Sequence, residues 1–125
     1  MSDQAPMTDT WGYRPPPVTP AVSREEAVAQ VRAMATGDVT FTLERSWADV
    51  FCGNVVARLA NGWTVEIFND CDDLDYVDVV VAPDGRRSTF EDWLGPDDGG
   101  RDRFWEASTC LSEGEYRQLL QALRG

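Results

Sequence analysis

A chain of 125 residues with 42% apolar content supports one domain around a single modest core. Its net charge of −11 sets it against direct contact with nucleic acid and anionic membranes. Histidine is absent and all eleven basic residues are arginine, which excludes Ser-His-Asp and Cys-His catalysis, Schiff-base lysines and the P-loop lysine.

The proline-rich segment 1–22, with Pro6, Pro15, Pro16, Pro17 and Pro20, has no apolar periodicity and reads as a disordered or extended arm. It lacks the basic-then-apolar order of a secretory signal. Trp11 and Tyr13 are unusual in such an arm and are candidates for partner docking. The domain proper, 23–125, opens on the capping box Ser23-Arg24-Glu25-Glu26. Ala27, Val28, Val31, Met34 and Ala35 then form one apolar stripe at helical spacing, and Gly37 is placed to end the helix.

Val39 to Leu43 alternates as a strand with Val39, Phe41 and Leu43 on one face. Ser46 to Phe51 is short and compatible with a helical turn. Val55 to Ala60 and Trp63 to Phe68, flanking Asn61-Gly62, predict a hairpin with a type I′ turn. A two-residue turn there would place Ala60 opposite Trp63, Arg58 opposite Val65 and Val56 opposite Ile67. Tyr76 to Ala82 is a further strand, with Val77, Val79 and Val81 expected inward. Pro83-Asp84-Gly85-Arg86 is a turn, and Ser88 to Leu94 reads as a short strand or a helical turn. Gly95 to Gly100 is a loop by composition. A second capping box, Ser112-Glu113-Gly114-Glu115, starts a final helix with the stripe Tyr116, Leu119, Leu120 and Leu123. The expected fold is therefore α+β: an antiparallel sheet of three to five strands around the central hairpin, packed with an N-terminal and a C-terminal helix.

Charge is concentrated from Glu66 to Asp98, where eleven acids stand against two arginines, a local −9 out of −11. Calcium-loop spacing fails in this stretch. Counting from Asp70 puts Leu74 at position 5, Asp75 at 6 and Val81 at 12, where a ligand, a glycine and a glutamate are needed. A zinc site is disfavoured by the scattered thiols and the missing imidazole. The three cysteines, Cys52, Cys71 and Cys110, form no CxxC pair and suggest reduced thiols in a cytoplasmic protein. Asp70 and Asp72 flank Cys71 and disfavour its thiolate.

Cys52-Gly53, Gly62-Trp63, Phe68-Asn69-Asp70-Cys71-Asp72-Asp73-Leu74-Asp75-Tyr76 and Pro83-Asp84-Gly85-Arg86 resemble a family of small uncharacterised bacterial proteins. The resemblance covers about forty residues and implies a compact bacterial or phage-borne domain, with no activity to carry over.

The expected function is non-enzymatic: an acidic protein-binding module for a basic surface. Its narrower form is a stoichiometric inhibitor or nucleic-acid-mimicking decoy of a nucleic-acid-binding protein, in the manner of acidic anti-CRISPR proteins. Carboxylates on alternate residues of an extended segment repeat every ~6.6 Å, comparable to phosphates along a strand. Asp70, Asp72, Asp73, Asp75, Tyr76 and Asp78, with Trp11 and Tyr13, are the candidate partner-binding residues. No cofactor, metal, membrane or direct nucleic-acid contact is expected. The alternative is a divalent-cation-binding or regulatory domain using the carboxylates of Asp70 to Asp78.

Overall fold

The computed structural model describes residues 21–93 and 111–125. The arm with Trp11 and Tyr13, the loop from Gly95 to Gly100 and Cys110 lie outside the described residues.

Helix α1, Arg24–Thr36, is closed at both ends by local chemistry. Ser23 Oγ accepts from the Glu26 N–H, the Glu26 carboxylate accepts from the Ser23 N–H, and Gly37 terminates the helix in the left-handed region (φ 84°). It buries Ala27, Val31, Met34 and Ala35, with Val28 partly buried. After β1, Phe41–Leu43, and the single-turn helix α2, Trp47–Val50, come the long strands β2, Cys52–Leu59, β3, Thr64–Asp70, and β4, Asp73–Val81. A short β5, Arg87–Thr89, runs directly into the single turn α3, Phe90–Trp93, so both expectations for that segment hold. Helix α4, Glu113–Arg124, repeats the capping box with Ser112 and Glu115 and buries Leu119 and Leu123.

The five strands form one antiparallel sheet in sequence order, β1-β2-β3-β4-β5. This is the α+β architecture the patterning implied. Val55, Ala57, Leu59, Val65, Ile67, Leu74, Val77, Val80 and Ala82 join the helical stripes in one core, capped by Trp47 and Trp93. Val22, placed in the arm by composition, is fully buried: its N–H donates to Ser88 Oγ and its carbonyl accepts from Trp93 Nε1. The folded part therefore includes the residue before the first cap.

Two turns differ from expectation, and they exchange roles. Ala60-Asn61-Gly62 is a three-residue loop: the Gly62 N–H donates to the Leu59 carbonyl (3.0 Å) and the Leu59 N–H to the Trp63 carbonyl (2.8 Å). Gly62 alone is left-handed (φ 95°), which makes a bulged turn and not type I′. The register consequently shifts by one, pairing Arg58 with Thr64, Ala57 with Val65 and Val55 with Ile67. The inward face of β2 is thus Val55, Ala57 and Leu59, whereas a two-residue turn would have sent Val56 and Arg58 inward. The type I′ turn lies instead at Cys71-Asp72, both left-handed (φ 54° and 77°), between the paired Asp70 and Asp73. The strand after it begins three residues before Tyr76.

Strand β4 carries two irregularities, between the pairs Glu66↔Val79 and Ile67↔Val77 and again between Ile67↔Val77 and Asn69↔Leu74. Each inserts an extra β4 residue and resets the face. The core-facing set becomes Leu74, Val77, Val80 and Ala82, so Val77 is inward as expected while Val79 is buried outside the core cluster. Val81, expected inward with them, is only half-buried.

Candidate functional site

At one end of the sheet, α2, the start of β2, the Cys71-Asp72 turn and the last turn of α4 meet. Asn69, fully buried at the end of β3, holds this junction: its Nδ2 donates to the Trp47 carbonyl (3.0 Å), and its Oδ1 accepts from the Asp72 N–H (2.8 Å). Such a polar group is stable in the core only because both ends of the amide are bonded. Trp47 Nε1 donates in turn to Asp72 Oδ1 (2.8 Å), and Arg124 donates to both Asp72 oxygens (3.1 and 2.8 Å). The Arg124 guanidinium, and then the Trp47 indole, hold the Asp72 carboxyl below its ordinary range. A shallow cleft of about 360 Å³ opens here, lined by Trp47, Ala48, Phe51, Asn69, Asp72 and Arg124.

Phe51 stands at the rim of this cleft. It is 55% exposed, the exposed large hydrophobic residue among the described residues. Its backbone (φ 52°, ψ −60°) falls outside the regions that ordinary residues favour, held there by its N–H to the Trp47 carbonyl and by its own carbonyl, which accepts from the Cys71 N–H (2.9 Å). Three non-glycine residues with positive φ, Phe51, Cys71 and Asp72, are thus gathered in one place. Backbone strain of this kind costs on the order of 1–3 kcal/mol per residue and tends to mark functional positions.

The acidic candidates separate into roles. Asp70 and Asp73 are exposed and face each other as the last pair before the turn; like charges directly opposite destabilise a hairpin. Asp72 is bound into the junction. Asp78 accepts from Asn54 Nδ2 (2.6 Å), which is also 3.3 Å from Glu66. Tyr76 stacks on Phe68 with ring centroids 5.3 Å apart and meets Phe90 edge-on at 5.3 Å. Burial, then Asp78 and Asp75, raise its phenol above its ordinary range. Only Asp73 and Asp75 stand on alternate residues of β4, and Asp78 follows across the bulges, so no even carboxylate ladder runs along the strand. Trp11 and Tyr13 lie outside the described residues.

Sequence spacing missed the thiols. Cys52 and Cys71, nineteen positions apart and both exposed, have their sulfurs 2.7 Å from each other. The signal was present in the pairing: Cys52 lies opposite Asp70, the last residue of β3, so Cys71 at the start of the turn comes back beside it. The Cys71 thiol is pushed up to about 11, first by its hydrogen bond with Cys52, then by desolvation and by Asp70. The direction follows the sequence expectation, but the leading cause is the second thiol. With Asp70, the two sulfurs also form the His/Cys/Asp/Glu group among the described residues whose donor atoms lie close enough to hold a metal, within 4.8 Å of one another. Two thiolates and one carboxylate suit a soft or borderline cation and not calcium or magnesium, which take oxygen.

A family model described as a domain of unknown function, DUF7693, matches residues 21–125. The chain belongs to that family. Its match begins one residue before the buried Val22 and runs through α4. No curated protein and no solved structure matches the chain. Among the described residues of this DUF7693 domain, no helix is long and apolar enough to cross a membrane.

Proposed function

We propose that this domain is a non-enzymatic protein-binding module that presents the Phe51 end of its sheet to a basic partner surface. The observation that carries the proposal is an exposed aromatic in a strained backbone, rimmed by exposed carboxylates. Phe51 supplies the kind of apolar anchor on which binding energy concentrates. Asp70 and Asp73, exposed opposite each other at the end of the hairpin, supply charge that steers a cationic surface toward it. Asp72 belongs to the scaffold beneath this rim, and Asp75, Tyr76 and Asp78 flank it along β4. The partner class is a basic protein surface. A nucleic-acid-binding protein is its narrower form, supported by the charge of −11 alone.

The test uses the full-length chain as bait. A partner held by this end is released by ~0.5 M salt. It is lost from Phe51→Ser and from the Asp70→Asn/Asp73→Asn double variant while both retain the melting temperature expected of a folded domain. Binding that survives high salt, or that survives both variants and depends on Trp11, would place the interaction elsewhere. The cation-binding alternative, built on the carboxylates of Asp70 to Asp78, has less support, because Asp72 and Asp78 already have protein partners. Heat on titration with calcium, magnesium or manganese would revive it.

A further inference from the structure

We propose that Cys52 and Cys71 form a reversible thiol–disulfide site, whose oxidised form is an intrachain disulfide joining the start of β2 to the β3–β4 turn. Nothing in this inference depends on what the Phe51 end binds.

Geometry carries it. The two sulfurs are 2.7 Å apart, well inside the separation that unbonded sulfur atoms keep and approaching the disulfide bond length of about 2.05 Å. Two thiolates sharing a tetrahedral zinc at about 2.3 Å each would stand ~3.8 Å apart. A disulfide needs that gap to close, whereas a shared zinc needs it to widen. The backbone places the two cysteines side by side. Cys52 and Asp70 are paired across β2 and β3, and the Cys71 N–H donates to the carbonyl of Phe51, the residue before Cys52. Both side chains are exposed, so a soluble oxidant reaches them.

The oxidant class is a small-molecule disulfide such as glutathione disulfide. Cys52 loses its proton and attacks one sulfur, forming a Cys52–glutathione mixed disulfide and expelling one glutathione thiolate, which takes up that proton. Cys71 then loses its proton and attacks Cys52 Sγ. The protein disulfide forms, the mixed disulfide breaks, and the second glutathione leaves as a thiol after protonation. Two protein thiols are oxidised and one disulfide is reduced to two thiols.

The experiment equilibrates the full-length chain in glutathione buffers of increasing oxidation, quenches with acid, alkylates and counts free thiols by intact mass. The expected result is a change from three alkylated thiols to one, with peptide mapping joining Cys52 to Cys71. Cys110→Ser should leave that transition in place. Cys52→Ser and Cys71→Ser should each abolish it and accumulate a glutathione adduct on the remaining partner. The oxidised chain should melt about 5 °C or more above the reduced one, because the crosslink closes a loop of the denatured chain. Three alkylatable thiols throughout the series, a disulfide that uses Cys110, a disulfide-linked dimer, or one zinc bound per reduced chain that blocks oxidation would each overturn the assignment.

Discussion

Asn69 and Asp72 show how little of a side chain's role its type discloses. In the sequence they are two members of an acidic, polar string. In the fold, one is fully buried and the other is clasped by Trp47 and Arg124. Asn69→Ala should cost about 2–3 kcal/mol, because it leaves the Trp47 carbonyl and the Asp72 N–H without their partner; urea unfolding monitored by tryptophan fluorescence measures it. Asp72 makes a pH prediction. Its carboxyl is held below the ordinary range, chiefly by Arg124, so its contribution is present above the unfolded-state value near 4 and is lost as pH falls through the lower folded value. Stability should decline below about pH 4, and Asp72→Asn should remove part of that acid dependence along with some stability at neutral pH. Thermal melts of both proteins from neutral to strongly acid pH give the comparison. Glu26, Asp84 and Glu115 are lowered likewise, so the variant flattens the profile only in part.

The elements themselves were largely legible. Both long helices announced themselves through capping boxes and apolar stripes, signals that depend only on neighbours three and four positions away. Four of the five strands were visible as strand-like runs, and the fifth segment fitted a short strand or a helical turn, but their faces were not all assignable. In β2 the face depends on loop length, and Asn-Gly fits a two-residue turn as well as the three-residue bulged turn it adopts. The latter needs a glycine at the left-handed position, and Gly62 is also pressed by Pro83, whose Cβ and Cγ would lie 3.2 Å from an added Cβ. Gly62→Ala should therefore destabilise the domain by about 1–3 kcal/mol, through both the positive φ and the crowding. Denaturant melts and hydrogen exchange along β2 and β3 would locate the loss. In β4 the bulges reset the faces, and no local pattern marks them, because each exists to fit a neighbour's register.

At the scale of the whole molecule, charge is the dominant property. A net −11 repels itself in the compact state. Several local pairs act against it: Arg86 bridges Glu26 and Asp84 (3.2 and 2.9 Å), Arg124 holds Asp72, and Arg32 approaches Glu115 at 3.6 Å between α1 and α4. These pairs are mostly exposed, and each is worth little. Moderate salt should thus raise the melting temperature, since it screens the long-range repulsion more than it weakens the close pairs. A rise of a few degrees between ~10 mM and ~0.3 M sodium chloride is the expected result by scanning calorimetry. A fall would mean that the local pairs dominate.

By itself the sequence determined the fold class, the two packed helices, the acidic character and the absence of histidine and lysine chemistry. All of these follow from composition or from spacings within one element. Only the tertiary structure decided the strand faces, the left-handed Cys71-Asp72 turn, the tie from Asn69 to Trp47, and the meeting of Cys52 with Cys71 beside Phe51. Each of these depends on which residue lies opposite which across the sheet, and a one-residue change of register re-deals every such neighbour. The acidic stretch that dominates the sequence is, in the fold, part scaffold and part exposed rim, and the division between them was set by Arg124, fifty-two positions from the carboxylate it holds.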